Sequence, residues 1–147
     1  MKRFIFGILF LAGTIGLVSA QKNDTSEGKV IYLTTAEFKK LIYDYEKDGD
    51  NWVYKGKIPA IIDFYADWCR PCKMVAPIME ELAKEYKGRV VIYKVNTDKE
   101  KDLASIFQIR SIPSILYIPR SGKPTMDTGA KSKESYKQVI EKTLLSK

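Results

Sequence analysis

The chain has 147 residues, with 25 Lys and Arg against 18 Asp and Glu, two Cys and no His, for a formal net charge of +7. That length holds one ordinary domain, and without His no Ser-His-Asp triad, Cys-His pair or histidine metal ligand can form. Two Cys fall short of a four-thiolate zinc site and leave a structural staple or a reactive dithiol, while 45% hydrophobic and 29% charged residues mark a folded chain.

Met1-Lys2-Arg3 is a short basic start, and Phe4 to Val18 carries no charge. Val18-Ser19-Ala20 then places small residues where a signal peptidase reads them, so residues 1–20 are expected to be a secretory signal peptide cleaved after Ala20. The alternative is an N-terminal membrane anchor, but the uncharged run makes a helix of about 22 Å against a hydrocarbon core of about 30 Å. Residues 21–29 are expected to be a polar linker and 30–147 one domain. Basic and acidic residues are interleaved, as in Glu80, Glu81, Lys84, Glu85 and Lys87, so no nucleic-acid partner is expected.

In chain order, Val30 to Leu33 reads as a short strand. Thr34 to Glu37 has capping-box spacing and opens a helix with Phe38, Leu41, Ile42 and Tyr45 on one face. Asp48 to Lys57 is a polar break with Trp52 and Tyr54, read as a helix extension and turn whose aromatics cover the core. Its Asp44-x-Glu46-x-Asp48-Gly49-Asp50 start is calcium-like, but Lys55 occupies the place of the bidentate acid, so no metal is expected. Ile58 to Tyr65 is a strongly apolar strand. A helix follows from Cys69 with Val75, Ile78, Met79, Leu82 and Tyr86 at helical spacing, and Pro77 predicts a kink.

Val90 to Val95 is a further strand, Leu103, Ile106 and Phe107 mark a short helix, and Ile115 to Ile118 is a strand. Met126 to Thr128 is a weaker strand, and Ser132 to Leu145 a closing helix. The order βαβαβαββα, with runs such as Ala60-Ile61-Ile62 and Val90-Val91-Ile92, predicts an α/β fold: a central mixed β-sheet with helices on both faces.

The chemistry lies in Trp68-Cys69-Arg70-Pro71-Cys72-Lys73, where a central strand gives way to a helix. A Cys at a helix N-terminus meets unpaired N–H groups and the positive end of the dipole, both of which favour thiolate. A second Cys three residues on can reach the first sulfur, which suits a disulfide that opens and closes. A staple there gains only about 2 kcal/mol from loop closure. Asp63 interrupts an apolar strand. Burial should raise its pKa, and it reads either as a proton carrier for Cys72 or as the partner of Lys94. Pro113, in Ser111-Ile112-Pro113-Ser114, reads on its own as a strand-edge marker, with a cis bond the minority reading.

These residues resemble the thioredoxins over nearly all of Val30 to Leu145. The likeness rests on Asp63 to Lys73, Ala76-Pro77, Lys94-Val95-Asn96-Thr97-Asp98, Ile109 to Pro113, Gly122 and Gly129-Ala130. It implies a thioredoxin fold with a redox-active Cys69–Cys72 disulfide, Cys69 as exposed nucleophile and Cys72 as resolving thiol. It further implies Asp63 as buried proton carrier with Lys94 beside it, Pro113 as a cis-proline, and Trp68, Ile112, Gly129 and Ala130 framing a substrate groove together with Arg70 and Pro71.

The chain departs from the family pattern in three places. Arg70 replaces the usual glycine, Tyr65 stands where a tryptophan is common, and the stretch from Leu33 to Asp63 is long. The expected function is thiol-disulfide oxidoreductase acting as a protein-disulfide reductase on exported proteins, in a bacterial periplasm, without cofactor. Its partners would be disulfide-containing exported proteins and a redox partner, with a membrane electron donor as candidate. Nothing requires more than a monomer. The rival readings are a net oxidant or isomerase in disulfide formation and a redox-inert protein-binding module.

Overall fold

The computed structural model describes residues 27–146, so the signal peptide, its cleavage point and most of the polar linker lie outside the described residues. The order is β1 (Ile31–Tyr32), α1 (Thr35–Leu41), α2 (Tyr45–Asp48), β2 (Ala60–Tyr65), α3 (Arg70–Glu85), β3 (Val91–Asn96), α4 (Lys101–Ile106), β4 (Ser114–Ile118), β5 (Thr125–Thr128) and α5 (Lys133–Val139). A π-helical turn (Ile140–Leu144) closes the chain's described part.

The strands form one sheet in the order β1-β3-β2-β4-β5. β1 and β2 both run parallel to β3, β4 is antiparallel to β2, and β5 is antiparallel to β4. β2 is thus central and the sheet mixed, as expected. Alternate residues of β2 feed two cores, which explains its unbroken apolar run. Ala60, Ile62 and Phe64 join Phe38 and Leu103 on the α1 and α4 face. Ile61 joins Val75, Met79 and Leu82 of α3 and Tyr136 of α5 on the other.

Three expectations need correction. The helix predicted through Tyr45 stops at Leu41, because Asp44 caps a separate short helix by accepting from the Lys47 N–H. The strand expected from Val30 to Leu33 is only two residues long and exposed. The closing helix changes from α to π geometry at Ile140. α3 continues through Pro77 as one element of 16 residues. In the long stretch before β2, the Trp52 and Tyr43 rings lie 4.5 Å apart, and Trp52 packs against the α1 and α4 core.

Candidate active site

β2 ends at Tyr65, and a short turn carries the chain to Cys69, the N-cap of α3, whose backbone is still extended at φ −76° and ψ 107°. The Cys72 N–H donates to Cys69 Sγ at 3.2 Å, so the sulfur takes the place that a Ser or Asp oxygen fills in ordinary capping. Pro71 sits in the first turn, where its missing N–H leaves no bond unmade. Cys69 and Cys72 are joined as a disulfide with Cα atoms 5.3 Å apart. The first turn of α3 holds no acidic residue and carries Arg70 and Lys73. Helix dipole, capping N–H and side-chain charge therefore all favour a negative Cys69 sulfur once the disulfide is reduced.

The expectation of an exposed Cys69 is corrected: in the disulfide form the residue is 2% exposed. It clusters with Ala66 and Cys72, and Ile112 and Tyr65 pack against that cluster. Access to it is along a groove of about 410 Å³. Trp68, Cys69, Arg70 and Pro71 line it from the start of α3, and residues 109–112 line it from the loop before β4.

The Ile112–Pro113 peptide is cis. Ser114 Oγ donates to the Ser111 carbonyl at 2.7 Å, and the Gly129 N–H donates to the Pro113 carbonyl at 2.8 Å, which ties the proline loop to the end of β5. Gly129 has φ +87°, a conformation that glycine tolerates and other residues resist. Pro113 is buried directly after the groove-lining Ile112, and the bond to its carbonyl holds Gly129 beside it.

Trp68 is 71% exposed, yet its Nε1–H donates to Asp98 Oδ2 at 2.8 Å. The Asp98 N–H in turn donates to Asn96 Oδ1 at 3.0 Å, and Asn96 Nδ2 donates to Asp67 Oδ2 at 3.3 Å. The indole is thereby tied to the loop after β3.

Asp63 is fully buried, on the same sheet face as Ile61 and hence on the α3 side. Register places it opposite Lys94, whose Nζ lies 3.7 Å from Oδ2, and neither carboxylate oxygen has a hydrogen bond. Loss of solvation pushes its pKa up to about 6, with Lys94 pulling in the other direction. Lys94 Nζ in turn lies 4.2 Å from the centroid of the Tyr65 ring and lines a smaller cleft with Tyr32 and Tyr65.

Thr97, Ile109, Arg110 and Ser111 also line the groove, and none was singled out as a site residue from the sequence. Contiguity with Ile112-Pro113 was the available signal for three of them. Thr97 stood only within the Lys94 to Asp98 run of the family likeness; its N–H donates to the Tyr65 carbonyl at 2.8 Å, a proximity set by the pairing of β2 and β3.

A buried carboxylate, a helix-capping disulfide and a cis-proline loop thus sit together on one mixed sheet. Residues 29–142 fit the family model described as thioredoxin. The chain belongs to the thioredoxin family. It is 44% identical over 110 residues to a thioredoxin of Borreliella burgdorferi, covering 75% of this chain and 93% of that protein. It is 41% identical over 112 residues to Thioredoxin 1 of Nostoc sp., covering 76% and 94%. The crystal structure of chloroplastic thioredoxin z superposes with a TM-score of 0.65 at 25% identity, covering 78% of this chain and 93% of that one. The architecture is the thioredoxin fold, and the protein is a thiol-disulfide oxidoreductase that acts on disulfide-bearing proteins.

Proposed function

We propose that this thioredoxin reduces or exchanges disulfides of exported proteins through the Cys69/Cys72 couple. The Cys69 thiolate attacks one sulfur of a substrate disulfide, forming a mixed disulfide and releasing a substrate thiolate. Cys72 gives its proton to the Asp63 carboxylate and attacks Cys69, closing the Cys69–Cys72 disulfide and releasing the second substrate thiolate. Two electrons pass to the substrate, and a dithiol donor must return them. Lys94 holds the charge of Asp63 when the proton leaves. Trp68, Arg70, Pro71 and Ile112 bound the substrate's path. Ile112 makes no main-chain hydrogen bond among the described residues, which leaves its backbone free to pair with an extended segment. Pro113, Gly129 and Ala130 complete the frame of the substrate groove, Gly129 being bonded to the Pro113 carbonyl.

The observation that carries this reading is the Cys69–Cys72 disulfide at the start of α3, lining an open groove. Export rests on the basic start, the uncharged run and Val18-Ser19-Ala20. In a bacterial periplasm the disulfide would be reset by a redox partner, with a membrane electron donor as candidate. A protein-disulfide reduction assay on wild type and Cys69→Ser tests the chemistry, and equal activity would remove it. Cys72→Ala in the native compartment should capture substrates as mixed disulfides. A mature chain that still starts before Gln21 would overturn cleavage after Ala20.

A further inference from the structure

Every charged side chain that lines the groove is positive. Arg70 comes from the first residue of α3 and Arg110 from the loop before Pro113. Both are exposed, and neither has an ion-pair or hydrogen-bond partner among the described residues. The nearby acids keep their charge but point to other partners: Asp98 accepts from Trp68 and Asp67 from Asn96, and neither forms an ion pair with Arg70 or Arg110. Elsewhere on this surface cations do find acids, as Lys133 does with Glu81 and Glu85. Two guanidiniums without an ion-pair partner make the groove lining itself positive. The remaining lining is largely apolar, from Trp68, Pro71, Ile109 and Ile112. Such a lining suits a peptide more than a small free anion.

We propose that the groove selects extended substrate segments with an acidic side chain beside the reacting cysteine, the carboxylate lying between Arg70 and Arg110. This rests on the exchange reaction proposed above and names the substrate class for it. The electron balance is that of the exchange itself. The carboxylate contributes binding only.

The test uses the pre-reduced protein and three synthetic peptides, each with one intramolecular disulfide, that differ only in a Glu, Gln or Lys next to the attacked cysteine. Each rate constant is divided by that peptide's rate with dithiothreitol, which cancels the effect of the flanking charge on the peptide sulfur. At low salt Glu should exceed Gln by about threefold and Lys by about tenfold, the size expected of exposed charge pairs. At 0.5 M salt the ratios should fall within about twofold, because the screening length is then only a few ångströms. Arg70→Gln and Arg110→Gln should each shrink the Glu-to-Lys ratio, and the double variant should bring it near one. Equal normalised rates for all three peptides, or an undiminished ratio in the double variant, overturn the acidic preference while leaving exchange intact. Failure to turn over any of the three overturns the exchange reading together with it.

Discussion

Asp63 and Lys94 are partners in register across β2 and β3, with Nζ 3.7 Å from Oδ2 and both carboxylate oxygens without a hydrogen bond. Burial strips the carboxylate of water and raises its pKa to about 6, and Lys94, close enough for attraction but too far to hydrogen-bond, offsets only part of that rise. The folded acid keeps its proton up to that pH, whereas an unfolded one releases it near 4. Between those values the folded state binds more protons, and stability falls as pH rises.

The shift amounts to about 3 kcal/mol of stability, fully present only below about pH 3 and lost by pH 8, with about 2.4 kcal/mol of it lost between pH 4 and pH 8. Asp63→Asn should remove that slope. Denaturant unfolding of the oxidised protein at pH 4 and pH 8 checks this: the difference between wild type and variant should change by about 2.4 kcal/mol across the window. A difference that stays constant with pH would show that the carboxyl titrates normally.

The same substitution should slow exchange. General acid-base participation commonly contributes about 100-fold or more, and the variant should lose at least a tenfold part of it above pH 6. The rate-against-pH curve should also lose the inflection near 6. A lowered rate with the inflection retained would point to a packing defect instead.

Arg70 stands next to Cys69, where its charge favours the thiolate and so the reduced form. A shift of one pKa unit in Cys69 is worth about 1.4 kcal/mol, or about 30 mV in a two-electron couple. Arg70 is exposed, which makes this the upper figure. Arg70→Gly should lower the reduction potential by up to about 30 mV, measured against a glutathione series. An unchanged or higher potential contradicts the assignment. The shift is small beside the gap of about 150 mV between thioredoxin and the strong periplasmic oxidant, so Arg70 biases the poise without changing its class.

Asp98 holds Trp68 through a bond of 2.8 Å at an exposed position. Asp98→Ala should free the indole, raise KM for protein disulfides by about two- to fivefold and leave the unfolding midpoint almost unchanged. Steady-state kinetics beside thermal melts separates the two effects.

The Thr34 and Glu37 capping box is complete, with the Glu37 N–H 3.2 Å from Thr34 Oγ1 and the Thr34 N–H 2.9 Å from Glu37 Oε2. Thr34→Ala should cost about 1 kcal/mol, read as a drop of several degrees in melting temperature with the reduction potential unaltered.

Much of this was legible because it is local. The capping box, the apolar runs of β2 and β3 and the placement of two cysteines at a strand-to-helix junction depend on neighbours within a few residues. Asp63 stood out because a carboxylate in an apolar run is costly wherever that run is buried. The break between α1 and α2 was missed because Asp44 as a cap competes with continued helix, and the apolar spacing through Tyr45 hid it.

From residue order alone came the α/β class, the C-x-x-C pair at a helix start and the candidate proton carrier, since propensity, periodicity and capping act over one or two turns. Tertiary structure alone decided that Cys69 is nearly buried, that Thr97 and Arg110 border its groove, that Gly129 is bonded to the Pro113 carbonyl, and that Asp63 faces Lys94 too distantly for a hydrogen bond. Those are outcomes of strand register and of loops brought together from distant parts of the chain, where the position of each group is set by partners that local sequence does not name.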